Sequence, residues 1–216
     1  MSPLSGTVEK GVLAGEGLTL WRGTTCLFEA LAFGVAPGSA LLIEGANGAG
    51  KTSLLRVIGN LVRPDDGVVT WRGTPVHECL RDGQLRMAVA GHSLGLKTEL
   101  TTLRNLEFYA RVSGLGRQVG AVLEQVGLTA CADLEVRVLS AGQRRRAALA
   151  RVLLSNAELW LLDEPQTNLD AAGRGILEDA IRRHLAQGGT AVISAHQSID
   201  LHDAPLTRLV LGGSQE

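Results

Sequence analysis

The chain has 216 residues, enough for one sizeable core and a tight fit for two independent domains. Its 21 Lys and Arg balance 22 Asp and Glu, and the net charge of -1 with only 3% aromatic residues removes the case for nucleic acid as the main partner. Cys26, Cys79 and Cys131 lie far apart without C-x-x-C spacing, which argues against a zinc site or a disulfide framework.

Residues 1–16 carry neither a charged segment leading into a long apolar core nor a cleavage site; they read as a flexible lead before a single domain over 17–212. No apolar run reaches the ~20 residues that span a bilayer, since the best candidate is broken by Glu29, Pro37 and Gly38. GLTLWRG and LFEALAFGVA pattern as strands, and ALLIEG follows the Pro37-Gly38-Ser39 break as a buried one. From Lys51, Leu54, Leu55, Ile58 and Leu61 share one helical face, and the helix is expected to run on toward Arg63-Pro64. VVTWRGTPV reads as a short hairpin and RMAVAG as a strand. Thr101 caps a helix with Leu103, Leu106, Tyr109 and Ala110 in phase, and RQVGAVLEQVG is a helix stopped by its final glycine. The strand-poor stretch from about 90 to 155 is expected to be an α-helical subdomain. ELWLLD, a helix within AAGRGILEDAIRRHLAQGG, and the strands TAVIS and LTRLVL complete an α/β pattern.

The stretch GANGAGKT comprises Gly45, Ala46, Asn47, Gly48, Ala49, Gly50, Lys51 and Thr52, with Ser53 next, and satisfies G-x-x-x-x-G-K-[ST] between a strand and a helix. Glycines let main-chain N–H groups curl around an anion at the positive end of the helix, so this segment is expected to bind a nucleotide. Lys51 would reach the β- and γ-phosphates, and Thr52 would ligate Mg²⁺. A second magnesium anchor is expected at the end of a neighbouring strand, and LWLLDEP supplies Asp163. Glu164 follows as a candidate catalytic carboxylate for polarising the attacking water.

Two other stretches compete for attention. GHSLG, Gly91 to Gly95, has the spacing of a serine nucleophile elbow, but the next helix cap is Thr101, too far on for Ser93 to sit on a strand-to-helix turn. LSAGQRRRAALAR places Ser140 and Gln143 at capping-box spacing before an amphipathic helix.

Taken together with GANGAGKT, Asp163-Glu164 and VISAH ending in His196, the LSAGQ stretch resembles the signature of ATP-binding cassette (ABC) ATPases. The resemblance runs over about residues 17–212 and implies a P-loop NTPase with a RecA-like parallel sheet, an antiparallel β subdomain and an inserted α-helical signature subdomain. It implies an ATPase using ATP and Mg²⁺, working as a homodimer of cassettes. Leu139, Ser140, Ala141, Gly142 and Gln143 would bind the γ-phosphate of the partner's nucleotide, with Ala141 replacing a glycine. Thr167 to Asp170 falls on the loop that meets the partner, and His196 on the switch histidine. Arg22, with Trp21 beside it, takes the adenine-stacking position in place of an aromatic residue. His92 stands where the family has a glutamine linking core and helical subdomain; an imidazole there predicts pH-sensitive coupling.

GHSLGLKTELTTLRNLEFYA in particular looks like the ATP-binding subunits of cytochrome c maturation haem exporters. Gln166 and Ser93 depart from that pattern. This implies integral membrane permease partners of the CcmB/CcmC kind, a place on the cytoplasmic face of a bacterial inner membrane, and membrane contact only through partners. The alternatives are the ATPase of another ABC exporter, a soluble cassette protein acting on DNA or ribosomes, or a P-loop small-molecule kinase, for which the LSAGQ helix and Glu164 have no evident use.

Overall fold

The computed structural model describes residues 11–91, 94–114, 118–195 and 199–212. Among these, β3 (Ala40–Gly45), β6 (Met87–Ala90), β7 (Leu159–Asp163), β8 (Thr190–Ser194) and β9 (Leu206–Leu211) pair in parallel in the order β6-β7-β8-β3-β9. Successive side chains of a strand point to opposite faces, and here both faces are covered. Leu41, Ile43, Leu159, Leu161 and Val192 enter one core cluster; Leu42, Trp160, Leu162, Ala191 and Ile193 enter the other. That is why ALLI, LWLL and TAVI carry no polar alternation. Leu41, Leu42 and Ile43 are fully buried, each worth ~1.5–3 kcal/mol against exposure.

The first face is closed by α1 (Lys51–Ile58), α2 (Val76–Arg81) and a second, antiparallel sheet. That sheet is built from β1 (Leu13–Arg22), β2 (Thr25–Val35), β4 (Asp66–Trp71) and β5 (Thr74–Pro75), in the order β2-β1-β4-β5. The other face carries α3 (Thr102–Val112), α4 (Val119–Gln125), α5 (Ala141–Leu153) and α6 (Ala171–Ala186). Leu106, Val122 and Leu149 from the helices share one cluster with Trp160 and Ile193 from the sheet, so α3, α4 and α5 pack as a layer continuous with the core.

Three boundaries differ from the sequence expectation. β1 begins at Leu13, inside the stretch read as a lead, because buried Leu13 pairs with Val35 and Trp71 and closes the core. α1 stops at Ile58 and does not run on to Leu61. Asn60 turns left-handed at φ 54, and the Leu61 and Asn60 N–H groups donate to Arg56 O at 2.8 Å and Val57 O at 3.0 Å. These two bonds form a Schellman ending, which leaves Leu61 exposed. Val76, expected to close the hairpin, instead starts α2, whose buried Val76 and Cys79 lie one turn apart.

Candidate functional site

In a parallel sheet the loops leaving the strand C-termini gather on one edge. Register places Ile43 of β3 and Asp163 of β7 on either side of Ser194 of β8, so the loop after β3, the turn after β7 and the end of β8 converge. Gly45 to Gly50 spans this edge, with Ala46, Asn47 and Gly48 exposed. Gly50 is the N-cap of α1 at φ 95 and provides no side-chain cap, so the first N–H groups of α1 point at the loop mouth. A Cβ at Gly50 would lie 3.3 Å from Leu27 Cβ, which shows how closely β2 presses on the loop.

Lys51 is buried, and its ammonium crosses the loop to donate to Gly45 O at 2.7 Å and Ala46 O at 2.9 Å. Thr52 Oγ1 donates to Asp163, 2.9 Å from Oδ2 and 3.2 Å from Oδ1. Asp163 is only 7% exposed and also accepts from Ser194 Oγ at 2.5 Å. Hydroxyl and carboxylate oxygens converging beside a phosphate-type loop suit a hard, oxygen-seeking cation such as Mg²⁺.

Glu164 occupies left-handed backbone space at φ 46, and its N–H donates to Ser194 O at 3.1 Å and Ser194 Oγ at 3.0 Å. Ser194 is thus a site residue that sequence reasoning missed. Its signal was a polar residue at the C-terminal end of the otherwise apolar run AVIS. Glu164 and Asp163 share a cleft of about 220 Å³ with Ala141, Arg144, Arg145, Thr167 and Asn168.

The LSAGQ stretch folds as its spacing predicts. Gln143 N donates to Ser140 Oγ at 3.1 Å, and Ser140 N donates back to Gln143 Oε1 at 2.8 Å, a complete capping box. Gln143 Nε2 also reaches Cys131 Sγ at 3.3 Å. Ser140 and Ala141 are exposed, so a methyl group in place of a glycine hydrogen is accommodated at 141. At Gly142 an added Cβ would lie 2.9 Å from Asn168 O. Leu139 is buried beneath. Asp170 caps α6 through Gly173 N at 2.7 Å.

Trp21 and Arg22 are exposed at the β1–β2 hairpin, whose return strand carries Leu27 against Gly50. His92, Ser93 and His196 lie outside the described residues.

The model of the family described as "ABC transporter" matches residues 28–167. The chain belongs to the ABC transporter family. Curated relatives agree: the chain is 44% identical over 199 residues to "Cytochrome c biogenesis ATP-binding export protein CcmA" of Rhodospirillum rubrum, a match covering 92% of this chain and 85% of that protein. To the Escherichia coli K12 protein of the same name it is 41% identical over 201 residues, 93% of this chain and 97% of that one. A solved "ATP binding subunit of ABC transporter" superposes with a TM-score of 0.82 at 21% identity, over 93% of this chain and 85% of that one, and shows the shared fold. This is the ABC ATPase fold expected from the sequence, with a parallel sheet, an antiparallel sheet and a helical layer. Membership implies ATP binding and hydrolysis. Among the described residues, no helix is long and apolar enough to cross a membrane.

Proposed function

We propose that the chain is the ATP-hydrolysing subunit of an ABC exporter serving cytochrome c maturation, where ATP turnover drives haem movement or release of a haem-loaded chaperone. The observation that carries the hydrolytic part is the linked set Thr52–Asp163–Ser194–Glu164 beside the Gly45–Thr52 loop. The export part rests on the name of the relatives, which match almost end to end.

Loop N–H groups, the N-terminus of α1 and Lys51 hold the β- and γ-phosphates. For that role Lys51 exchanges the carbonyls of Gly45 and Ala46 for phosphate oxygens. Thr52 and Asp163 would hold Mg²⁺, which supplies charge neutralisation on the phosphate oxygens when bound. Water attacks the γ-phosphorus in line, its proton passes to the Glu164 carboxylate, and the bond to the β-phosphate oxygen breaks to give ADP and phosphate. His196 supports the γ-phosphate and Arg22 stacks on adenine. A partner copy closes the site with its own Leu139 to Gln143 at the start of α5, the Asp170 segments meeting alongside. The cassette pair docks on permease subunits of the CcmB/CcmC kind at the cytoplasmic face of the inner membrane.

The test uses a tagged chain purified with its membrane partners in mild detergent. Wild type is expected to hydrolyse ATP and Glu164→Gln to bind ATP while turning over at least ~100-fold more slowly. Undiminished turnover removes Glu164 from its role. Co-purification of another permease keeps the ATPase mechanism and overturns the cytochrome c assignment.

A further inference from the structure

Helix α5 places a half-buried positive charge under the catalytic turn. Among the described residues, the Arg145 guanidinium enters a ring of main-chain carbonyls and pairs with no carboxylate. Nε donates to Pro165 O at 3.2 Å, Nη1 to Gly91 O at 2.9 Å, and Nη2 to Asp163 O at 2.9 Å and to Glu164 O. Four of its five N–H donors are thereby used, three on consecutive residues of one turn. Burial pushes its pKa down, opposed by the charges of Asp163 and Glu164 nearby.

The turn needs such a hold. Glu164 sits at φ 46, which a residue with a side chain keeps only where its surroundings enforce it. Ser194 fixes its N–H side, and Arg145 fixes its carbonyl side. Gly91 ends the segment that follows β6, so one side chain ties together that segment, the Glu164 turn and the helix that Ser140 caps. The adjacent Arg146 makes the contrast, donating among the described residues toward the end of α4, at Val126 O and Gly127 O.

We propose that Arg145 is a positioning residue for ATP hydrolysis: its four carbonyl bonds aim Glu164 and make that aim depend on where α5 and the segment ending at Gly91 stand. This rests on the ATPase reading above. A shift of α5 when its N-terminus meets the partner's nucleotide is passed through Arg145 to the Glu164 turn.

The experiment compares wild type, Glu164→Gln, Arg145→Gln and Arg145→Lys in the detergent-purified complex, measuring kcat and KM for ATP, fluorescent ATP-analogue binding and melting temperature. Arg145→Gln is expected to lower kcat by about tenfold or more, as misplacement of a catalytic group does. KM and analogue binding should move by less than about threefold, the mark of a defect confined to the transition state. Arg145→Lys should fall between, because an ammonium lacks the planar fork that spans separate carbonyls. A kcat loss that disappears on cooling, in step with a lowered melting temperature, overturns the proposal. So does wild-type kcat in Arg145→Gln while Glu164→Gln is inactive, with the ATPase reading intact. Absence of turnover in the wild-type complex overturns both. Should Arg145→Gln fail to fold, Arg145→Lys carries the same criteria.

Discussion

Ser194 joins Asp163 and Glu164 through one hydroxyl, accepting from Glu164 N and donating to Asp163 Oδ1. In Ser194→Ala the Glu164 N–H keeps its bond to the residue 194 carbonyl, so the turn survives. Asp163 loses a donor in a place 7% exposed, which costs ~1–3 kcal/mol of stability and loosens the carboxylate. The expected result is a severalfold higher Mg²⁺ concentration for half-maximal ATPase, with metal-free nucleotide binding unchanged. Identical Mg²⁺ titrations for mutant and wild type would mean that Ser194 does not orient Asp163. Gly45 to Thr52 and Asp163-Glu164 were legible in the sequence because phosphate and magnesium chemistry demands particular residue types at fixed offsets. Ser194 and Arg145 were not, because the partners of Ser194 lie 30 and 31 residues away and those of Arg145 between 18 and 54, and only folding brings them together.

Elements were legible where local chemistry decides them. Thr101 caps α3 through Arg104 N at 3.2 Å, Ser140 and Gln143 cap α5, and Gly127 ends α4 at φ 64, all from side chains or conformations encoded within a few residues. Leu61 misled because helical phase says nothing about a left-handed Asn60 that ends the helix first. His184, near the end of α6, shows a contact no local pattern predicts: its ring stacks on Trp160 of β7 at 4.0 Å and 8°, with Nε2 3.2 Å from Thr190 O. Burial pushes its pKa below the ordinary value of 6.5, the main-chain bonds at Thr190 and Glu158 opposing. The unfolded chain therefore binds the proton more readily. The stabilising contribution is whole above about pH 6.5 and is lost as pH falls through that value toward the folded pKa. Melting temperatures at pH 7.5 and 5.0 should separate more widely for wild type than for His184→Phe, which keeps the stack and cannot titrate. A gap of a few degrees is expected, since ~1 kcal/mol moves a chain of this size by about 2–4 °C. Equal slopes would remove His184 as a source of acid sensitivity.

At the scale of the molecule, the two-faced parallel sheet was legible from apolar runs alternating with helices, while the packing of α3, α4 and α5 on the core face was not, since it depends on which helix faces meet Trp160 and Ile193. Two parts of the site are open: Ala46, Asn47 and Gly48 face solvent, and so do Ser140 and Ala141 at the start of α5. Gln143 is committed to the capping box, and Ser140 Oγ already accepts from Gln143 N. What α5 still offers is its positive N-terminal end, where an anion is stabilised. A nucleotide held by one copy fits that need in a second, and a net charge of -1 raises little long-range repulsion between copies. Glu164→Gln, loaded with ATP and Mg²⁺, is therefore expected to run in light scattering at twice the 22.8 kDa of one chain. Adding Ser140→Arg, which removes the cap and places a long side chain at the contact, should return it to single mass with ATP still bound. An ATP-saturated Glu164→Gln protein that stays at single mass, alone and with its membrane partners, would mean that the start of α5 serves no partner's nucleotide.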